Sequence, residues 1–370
     1  MPLSPIHFVL TCTSIGGTER LTCTLTREFC RRGYDANLYI STHDSRPLQE
    51  WCRTDDVSPI LHPAFPNADM PHTAKTTLAT AQYFRALPKG LINVHYGDNF
   101  ISLKDIIAMR LAGQNRIIAQ VNHPTPWNAE NEQKRKMTRL GAALCRHIVT
   151  ISGATRQVLV EAGVPPQKIT VIPCGVRPPA QPVDKVKARR DLGLPPDSFL
   201  VGTLTRLTPY KRIDLLIEAV ASLPNNVFLA VAGEGKARAE WEAQARRHLG
   251  SRALFLGHVH SSEKFYGALD VFALPSEMEG FGLVYIEAAF HAVPSVGTNV
   301  GGIPDAVTDG ETGLLVSVND RQALIQALQT MLDPKVRHRL GTHAQKKAYA
   351  EFTDQRMVDQ YEALFQKYQK

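Results

Sequence analysis

Residues 199–232, FLVGTLTRLTPYKRIDLLIEAVASLPNNVFLAVA, combine two sequence patterns. Phe199–Leu204 and Val227–Ala232 are short apolar runs typical of buried strands, and residues 213–222 between them repeat apolar side chains at helical spacing. A strand, a helix and a second strand in this order predict two parallel strands joined by a helix that crosses the sheet. This stretch therefore predicts an α/β fold.

The same alternation continues along the chain. In the first half it predicts strands at 6–10, 38–40, 91–96, 116–121, 147–151 and 169–172, and in the second half also at 254–257, 271–274, 294–297 and 314–316. Residues 177–197 are predicted to be a linker, because prolines interrupt both helices and sheet ladders. Two doubly wound domains follow, in which ligands bind at the carboxyl ends of the strands.

The length of 370 residues agrees with two domains. The net charge of +7 lies entirely in residues 1–180, which hold 20 Lys and Arg against 13 Asp and Glu. A basic half attracts polyanions such as nucleic acid, an anionic membrane or a phosphorylated substrate. Nucleic acid is disfavoured, since neither interleaved aromatic residues nor a recognition helix is evident. Lys134-Arg135-Lys136 is the densest basic run, and a solvated face is its simplest interpretation.

The cysteines, the N-terminus and the apolar stretches indicate where in the cell the protein is expected. The six cysteines, all before residue 175, lack the spacing of a zinc site, and we expect reduced, mostly buried thiols. The N-terminus lacks the basic and apolar segments of a signal peptide, and no apolar stretch reaches the roughly 18 residues of a membrane span. These observations predict a cytoplasmic protein and leave a peripheral membrane contact open.

Gly16-Gly17, after the first predicted strand, is a weak candidate for binding an anion. Glycines at a helix start let a ligand approach the backbone N–H groups closely. A plain tight turn explains the pair equally well.

Residues 205–212 are a stronger candidate, because they carry three cations at a predicted helix N-terminus, where the helix dipole disfavours positive charge. A diphosphate held by Arg206 and Lys211 would remove that cost and be stabilised as a leaving group. A solvated loop with an ion pair to Asp214 is the alternative.

The most specific segment is 274–288, LPSEMEGFGLVYIEA, with Glu279 in a loop and Glu287 in an apolar helix that begins near Leu283. A carboxylate in such a helix is costly unless it has a partner, either ligand hydroxyls or a buried cation. Eight residues of helix would separate the two backbones by about 12 Å. Hydrolytic carboxylate pairs are roughly 5–9.5 Å apart, so the spacing favours two contacts on one extended ligand over hydrolysis.

These motifs occur in an order that resembles the retaining glycosyltransferases of family 4, which have the GT-B fold. The resemblance covers nearly the whole chain and rests on Gly16-Gly17 with Glu19-Arg20, the loop of Arg206 and Lys211, 231–235 (VAGEG), 255–257 (FLG), Glu279 with Glu287, and 301–305 (GGIPD). It implies two Rossmann-like doubly wound domains facing across a cleft. Residues 1–178 would form the acceptor side and 179–352 would bind a nucleotide-sugar, while a final helix in 353–370 would cross back onto the first domain.

The resemblance also implies a reaction. Members move a sugar from a nucleotide-sugar, usually of UDP or GDP, to an acceptor with retention of anomeric configuration. Glu279 would contact the donor sugar, helped by the backbone around Phe281, Gly282 and Leu283. The other donor contacts implied are those of Arg206, Lys211, Gly16 and Gly17 with the diphosphate, of Glu287 with the ribose, and of the His258-Val259 backbone with the base.

His123, after the predicted strand 116–121, matches a histidine that family members place near the transferred sugar. In isolation it would be a hydrogen-bonded loop residue, and His95 is a weaker candidate. No metal or cofactor is expected, because Arg206 and Lys211 can neutralise the diphosphate. The favoured mechanism is front-face substitution, in which the departing phosphate oxygen takes the acceptor proton.

Three positions depart from the common pattern of the family. Arg212 stands where glycine usually follows the lysine, 174–177 (CGVR) replaces Asn-Gly-Val-Asp, and Asp305 replaces glutamate. The acceptor is expected to be a saccharide, a lipid-linked or a small molecule, and the basic first half favours an anionic or membrane-adjacent one. A GT-B sugar-nucleotide epimerase and a non-catalytic glycosyltransferase-like scaffold subunit stay open as alternatives.

Overall fold

The computed structural model of the protein describes residues 4–11, 16–41, 45–62, 74–98, 100–128 and 131–369. The chain divides into two compact units. The first unit consists of Met1–Gly175 and Asp354–Lys370, and the second of Val176–Thr353. The boundaries predicted from the sequence, after 178 and after 352, lie within three residues of these.

A parallel sheet forms the centre of the first unit. Its strands are β1 (Ile6–Leu10), β2 (Ala36–Ser41), β3 (Ile60–His62), β4 (Leu91–Tyr96), β5 (Arg116–Val121), β6 (His147–Thr150) and β7 (Ile169–Val171). They pair in the order β3-β2-β1-β4-β5-β6-β7. Helices α1 (Gly17–Arg31), α2 (Arg46–Thr54), α3 (Ala74–Ala86), α4 (Leu103–Leu111), α5 (Glu132–Leu144) and α6 (Gly153–Glu161) connect them. Every residue of β1 and β4 is buried, as expected for a sheet covered on both faces.

The second unit repeats this architecture. Its strands are β8 (Phe199–Leu204), β9 (Val227–Ala232), β10 (Ala253–Gly257), β11 (Val271–Leu274), β12 (Ser295–Thr298) and β13 (Gly313–Val316), paired in parallel in the order β10-β9-β8-β11-β12-β13. Its helices are α7 (Lys185–Asp191), α8 (Ile213–Ala221), α9 (Arg238–Leu249), α10 (Ser262–Ala268), α11 (Leu283–Phe290), α12 (Ile303–Ala306), α13 (Arg321–Thr330) and α14 (Pro334–Glu351). The predicted α/β class with two doubly wound sheets is confirmed.

The strand order reverses at one place in each sheet. β1 lies between β2 and β4, and β8 lies between β9 and β11. Ligands of doubly wound sheets bind outside the carboxyl ends of the strands at such a point. The loops after β1 and β4 in the first unit therefore correspond to the loops after β8 and β11 in the second.

The last helix, α15 (Asp354–Gln369), packs within the first unit on α1. The ring of Phe365 lies 5.3 Å from that of Phe29 and 6.0 Å from that of Phe8. Arg32, just after α1, forms ion pairs with Asp359 and Glu362. These contacts give the apolar face predicted for 353–370 its packing partners.

Two elements differ from the predictions. β3 was not predicted, because a strand of three residues at a sheet edge is too short to show a periodic pattern. Residues 177–197 do not form a linker throughout, since α7 lies inside them. Asp184 caps α7 by accepting from Lys187 N at 3.0 Å, and Arg189 pairs with Asp270 at 2.8 Å. The prolines flank this helix and do not enter it.

The thiols follow the prediction with one difference. Cys23, Cys52, Cys145 and Cys174 are buried and free, whereas Cys30 is exposed. Cys12 lies outside the described residues. All five described cysteines belong to the first unit.

Candidate functional site

The loop after β8 brings Lys211 into the second unit. A short 3-10 helix, Pro209–Lys211, precedes α8 and directs this side chain inward. The Lys211 ammonium also lies 5.0 Å from the centre of the Tyr210 ring. The side chain is only 10% exposed, an unusual position for an ammonium group without a partner.

The loop after β11 supplies that partner. Glu279 Oε1 accepts a hydrogen bond from Lys211 Nζ at 2.5 Å and a second from Ser276 Oγ at 3.0 Å. Glu277 N in the same loop donates to Tyr210 O at 2.8 Å, so the backbones of the two loops are joined as well. Lys211 and Glu279, 68 residues apart in sequence, therefore meet at the carboxyl ends of two neighbouring strands.

Burial makes this ion pair sensitive to its surroundings. The Glu279 side chain is 13% exposed, so both charges are largely removed from water. A buried pair gains little net stability, but removing one partner leaves an uncompensated charge. An anion that approaches Lys211 would compete with Glu279 for the ammonium and free the carboxylate for another contact.

The segment 301–302 fixes the backbone of the Glu279 loop. A Cβ at Gly301 would lie 2.2 Å from Glu279 O, and one at Gly302 would lie 2.2 Å from Gly280 O. Gly302 N also donates to Glu279 O at 3.0 Å. Any larger residue at these two positions would push the loop away, which is why the predicted GGIPD motif needs both glycines.

The start of α11 lies just beyond Glu279. Gly282 precedes the helix with φ +89°, and no side chain caps the first turn. Phe281 is buried, with its ring 5.5 Å from that of Phe352, so it anchors the loop rather than facing a ligand with its side chain. Leu283 begins the helix, as predicted. Uncapped N–H groups at a helix N-terminus attract anions and polar oxygens.

Glu287 lies further along α11. Its Oε2 accepts a hydrogen bond from the Tyr266 hydroxyl at 2.6 Å, and the side chain is half-buried. This phenol is the partner that a carboxylate in an apolar helix requires. No motif in the sequence had pointed to Tyr266.

The two arginines of the 205–212 loop differ in their contacts. Arg206 is exposed, and it interacts with at least one neighbouring group. Arg212 adopts the left-handed conformation, with φ +52° and ψ +42°, at the start of α8. Its guanidinium pairs with Asp214 at 3.0 Å and with Glu277 at 3.1 Å, and it also donates to Asn319. Arg212 thus adopts the backbone conformation that favours glycine, and its side chain contacts the loop after β11 through Glu277.

The loop that contains Val259 follows β10, which is separated from β11 by β9 and β8 in the same sheet. Gly257 ends that strand with φ +66°, and Val259 is half-buried between His258 and His260. Gly233 N donates to Gly257 O at 2.7 Å, which joins this loop to the one after β9. A Cβ at Gly233 would lie 1.9 Å from Thr205 O, so the predicted VAGEG segment needs glycine for this close approach.

The first unit places its predicted residues after β1 and β5. Gly16 precedes α1 in an extended conformation and Gly17 begins the helix, again without a side-chain cap. His123 is half-buried, and its Nδ1 lies 3.0 Å from Thr125 Oγ1. Partial desolvation raises the pKa of nearby Asp98, and the positive charges of Lys134 and His123 oppose that shift.

His95, the weaker candidate, is fully enclosed in β4. Its Nδ1 lies 3.0 Å from Thr22 Oγ1, and its Nε2 lies 2.7 Å from Asn93 Oδ1. Burial lowers the pKa of His95 to about 3, so the ring is neutral at physiological pH. Both ring nitrogens are within hydrogen-bond distance of buried side chains, and His95 thereby links β4 to α1 through Thr22.

The structure thus brings Lys211, Glu279 and Ser276 together and pairs Glu287 with Tyr266. Ser276 and Tyr266 were missed, because a single polar residue without a motif gives no signal in one sequence. Among the described residues, no three His, Cys, Asp or Glu side chains form a group that could hold a metal ion. None of the helices in the described part of the chain is long and apolar enough to cross a bilayer.

Two family models match the chain. The model for Glycosyltransferase Family 4 matches residues 15–178, and the model for Glycosyl transferases group 1 matches residues 184–347. Together they span nearly the whole chain.

Curated relatives match over part of their length. The chain is 35% identical over 215 residues to a D-inositol 3-phosphate glycosyltransferase of Stackebrandtia nassauensis, an alignment that covers 53% of this chain and 48% of that protein. It is 29% identical over 186 residues to an N-acetyl-alpha-D-glucosaminyl L-malate synthase of Bacillus anthracis, with 49% of each chain covered. The chain thus spans about half the length of the curated relatives it matches.

The fold resembles that of solved structures over its full length. Anabaena HepE in complex with UDP superposes with a TM-score of 0.85 at 20% identity, covering 98% of this chain and 100% of that one. Sucrose-phosphate synthase of Thermosynechococcus elongatus superposes with a TM-score of 0.78 at 22% identity and 98% coverage of both chains.

Proposed function

This chain belongs to the group 1 glycosyltransferases and has their GT-B fold, and we propose that it moves a sugar from a nucleotide-sugar to an acceptor with retention of anomeric configuration. The observation that carries the proposal is the buried pair of Lys211 and Glu279. It lies at the carboxyl ends of β8 and β11, beside the uncapped start of α11.

The donor diphosphate is assigned to Lys211 and Arg206. When the diphosphate arrives, the ammonium exchanges the carboxylate of Glu279 for phosphate oxygens, and the two cations stabilise the negative charge that grows on the leaving group. Glu279 is then released to accept hydrogen bonds from hydroxyls of the donor sugar. The N–H groups around Phe281, Gly282 and Leu283 supply further donors in the same place.

The reaction proposed is a front-face substitution. The bond from the anomeric carbon to the phosphate oxygen breaks, the acceptor oxygen attacks the same face, and the departing phosphate oxygen accepts the acceptor proton. The charge is held by an ammonium and a guanidinium, so we propose a mechanism that requires no metal. Glu287 is assigned to the ribose hydroxyls, in exchange for or alongside its contact with Tyr266.

UDP is the favoured nucleotide, because HepE, whose fold this chain shares, is known in complexes with UDP and with UDP-glucose. The names of two relatives point to acceptors that carry negative charge, malate in one and inositol phosphate in the other. The excess of Lys and Arg in residues 1–180 agrees with an anionic acceptor. We therefore propose a saccharide or small-molecule acceptor with a phosphate or carboxylate group, or a lipid-linked form of one.

The first experiment measures thermal unfolding with UDP, GDP or ADP and with their sugars. A ligand at 100 times its dissociation constant adds about 2.7 kcal/mol of stability, so the correct nucleotide is recognised by a raised Tm. If none of these nucleotides raises the Tm, the proposed function is wrong. With the correct donor and no acceptor, slow hydrolysis is expected, whereas an epimerised sugar would identify a sugar-nucleotide epimerase.

Glu279→Gln separates the sugar contact from nucleotide binding. We expect turnover to fall roughly a hundredfold, because the amide is a weaker acceptor for the sugar hydroxyls, while the nucleotide still raises the Tm. Glu351→Gln, at an exposed position of α14, is the matched control and should behave as wild type. Wild-type turnover in Glu279→Gln would remove Glu279 from the site.

A further inference from the structure

One face of the first unit has an unusual exposed surface. Helix α4 packs against α3 on one side and α5 on the other. Fifteen residues of these three helices are exposed among those whose exposure the structure describes. They are the seven cations Lys75, Arg85, Lys104, Arg110, Lys134, Lys136 and Arg139, the four leucines Leu78, Leu111, Leu140 and Leu144, and Gln82, Gln133, Ala86 and Ala143. We call these fifteen residues the basic face.

Acidic residues offset only a small part of this charge. The three helices contain two, Asp105 and Glu132. Asp105 is buried, and burial raises its pKa to about 7, so it is only partly ionised at neutral pH. Glu132 is half-buried and pairs with Arg135 at 3.3 Å and with Lys136 at 4.0 Å. The exposed cations of these three helices therefore outnumber the two acidic residues, seven to two.

Helix stability accounts for some of these cations only. A cation near a helix C-terminus interacts favourably with the helix dipole, and Arg85 donates to Leu111 O at 3.4 Å in this way. Lys75, Lys104 and Lys134 instead lie in the first turns of α3, α4 and α5, where the dipole disfavours positive charge. The helix dipole therefore does not explain these three positions.

The leucines narrow the choice of partner. Leu78, Leu111, Leu140 and Leu144 are 61%, 64%, 45% and 38% exposed, and they lie between the cations on the same three helices. Nucleic acid binding uses exposed aromatic side chains for stacking, and none of the fifteen residues is aromatic. A bilayer of anionic lipids takes both groups, because lysine and arginine pair with headgroups while leucines enter the interface.

We propose that the basic face of α3, α4 and α5 docks on a membrane surface that contains anionic lipid. This contact is peripheral, and it does not depend on the proposed glycosyltransfer. The cations would give attraction that salt weakens, and the leucines would give a contribution that salt does not remove.

The test is flotation of the full chain with vesicles. Phosphatidylglycerol mixed with phosphatidylcholine is compared with phosphatidylcholine alone, at low and at high salt. Binding is expected to the anionic vesicles and to weaken at high salt. Absence of binding to the anionic vesicles at low salt overturns the proposal.

Two triple variants of equal charge change locate the contact. Lys134→Glu, Lys136→Glu and Arg139→Glu on α5 should together weaken vesicle binding about a hundredfold, since each basic residue near such a surface contributes roughly fivefold. Lys335→Glu, Arg339→Glu and Lys346→Glu, at exposed positions of α14 in the second unit, are the control and should leave binding unchanged. An equal loss of vesicle binding in both triple variants would show that net charge alone causes the attraction, and it would refute docking through the basic face.

Two more measurements address the leucines and the competing partner. Leu111→Ser with Leu140→Ser should remove the binding that persists at high salt, and the circular dichroism spectrum should stay that of wild type because both residues are exposed. Displacement from vesicles by a single-stranded oligonucleotide at stoichiometric concentration would assign the face to nucleic acid and contradict the proposal.

The α5 triple variant should show the same nucleotide-dependent Tm shifts as wild type. A loss of vesicle binding in this variant can therefore be distinguished from a failure of the proposed function.

Discussion

The junction after β4 and the junction after β11 hold equivalent places in their sheets, yet they stabilise buried polar groups in opposite ways. After β11, Glu279 keeps its charge and pairs with Lys211. Around β4, His95 and Asp105 are buried with pKa values of about 3 and about 7, so His95 is neutral and Asp105 is only partly ionised at neutral pH. Under the proposed function, the first solution keeps a cation ready for an incoming anion, whereas the second reduces the charge of the buried groups.

Removing the cation tests the charged junction and should have the largest effect. Lys211→Met removes the ion-pair partner of Glu279 and leaves the Ser276 hydroxyl as its hydrogen-bond donor among the described residues. We expect stability to fall by about 3 kcal/mol and turnover roughly a thousandfold, because the leaving group loses its ammonium. Urea unfolding and initial rates with the donor identified by Tm measure the two effects.

A double variant shows whether the loss belongs to the pair. Lys211→Met combined with Glu279→Gln removes both charges, and its stability should recover toward wild type while its activity stays low. Lys346→Met is the control for loss of a lysine, and it should be neutral since this side chain is exposed. A double variant as unstable as the single one would contradict the exchange of partners proposed for Lys211.

The neutral junction should respond to pH in a specific direction. Asp105 binds its proton more tightly in the folded protein, so its contribution to stability is present below pH 3.8 and is lost as the pH rises through about 7. Asp105→Asn keeps a neutral side chain at every pH. From pH 4 to pH 7 its stability should therefore rise relative to wild type by roughly 3 kcal/mol in urea unfolding. A constant difference across this range would show that Asp105 is charged in the folded protein.

His95 should show the opposite dependence. Its folded pKa is lowered from 6.5 to about 3, so its contribution is present above pH 6.5 and is lost as the pH falls through about 3. At pH 5 the wild type should have lost about 2 kcal/mol through this group. His95→Gln cannot titrate, and its stability should fall less between pH 7 and pH 5. Equal pH dependence of the two proteins would mean that folding does not lower the pKa of His95.

The sequence predicts the strands of both junctions better than their contacts. β8, β9 and β11 have the predicted bounds, because buried parallel strands are continuous apolar runs that any single sequence displays. The segment 185–191 was wrongly assigned to a linker, since its helix depends on the Asp184 cap and on Asp270, far away in sequence.

For the candidate site too, the sequence predicts individual residues better than the contacts between them. Lys211 and Glu279 were named from the sequence for separate roles, on the diphosphate and on the sugar. That they meet follows only from the pairing of β8 with β11, which the sequence does not specify. The burial that sets the pKa values of His95 and Asp105 is likewise a property of the packed structure, and neither residue carries a motif that reveals it.

The smallest expected effect concerns Arg212, at the edge of the charged junction. Its left-handed backbone costs about 1 kcal/mol for any residue with a Cβ, and its ion pairs with Asp214 and Glu277 offset part of that cost. Arg212→Ala loses the pairs and keeps the strain, whereas Arg212→Gly loses both. Arg212→Gly should therefore be about 1 kcal/mol more stable than Arg212→Ala in urea unfolding.

At an ordinary helix position the order is reversed, so Lys346→Ala in α14 should be more stable than Lys346→Gly by a similar amount. High salt should weaken wild type relative to Arg212→Gly, because it screens the half-exposed pairs and leaves the backbone cost unchanged. If Arg212→Ala equalled or exceeded Arg212→Gly in stability, the backbone at Arg212 would carry no strain. The ion pairs would then add stability instead of offsetting a cost.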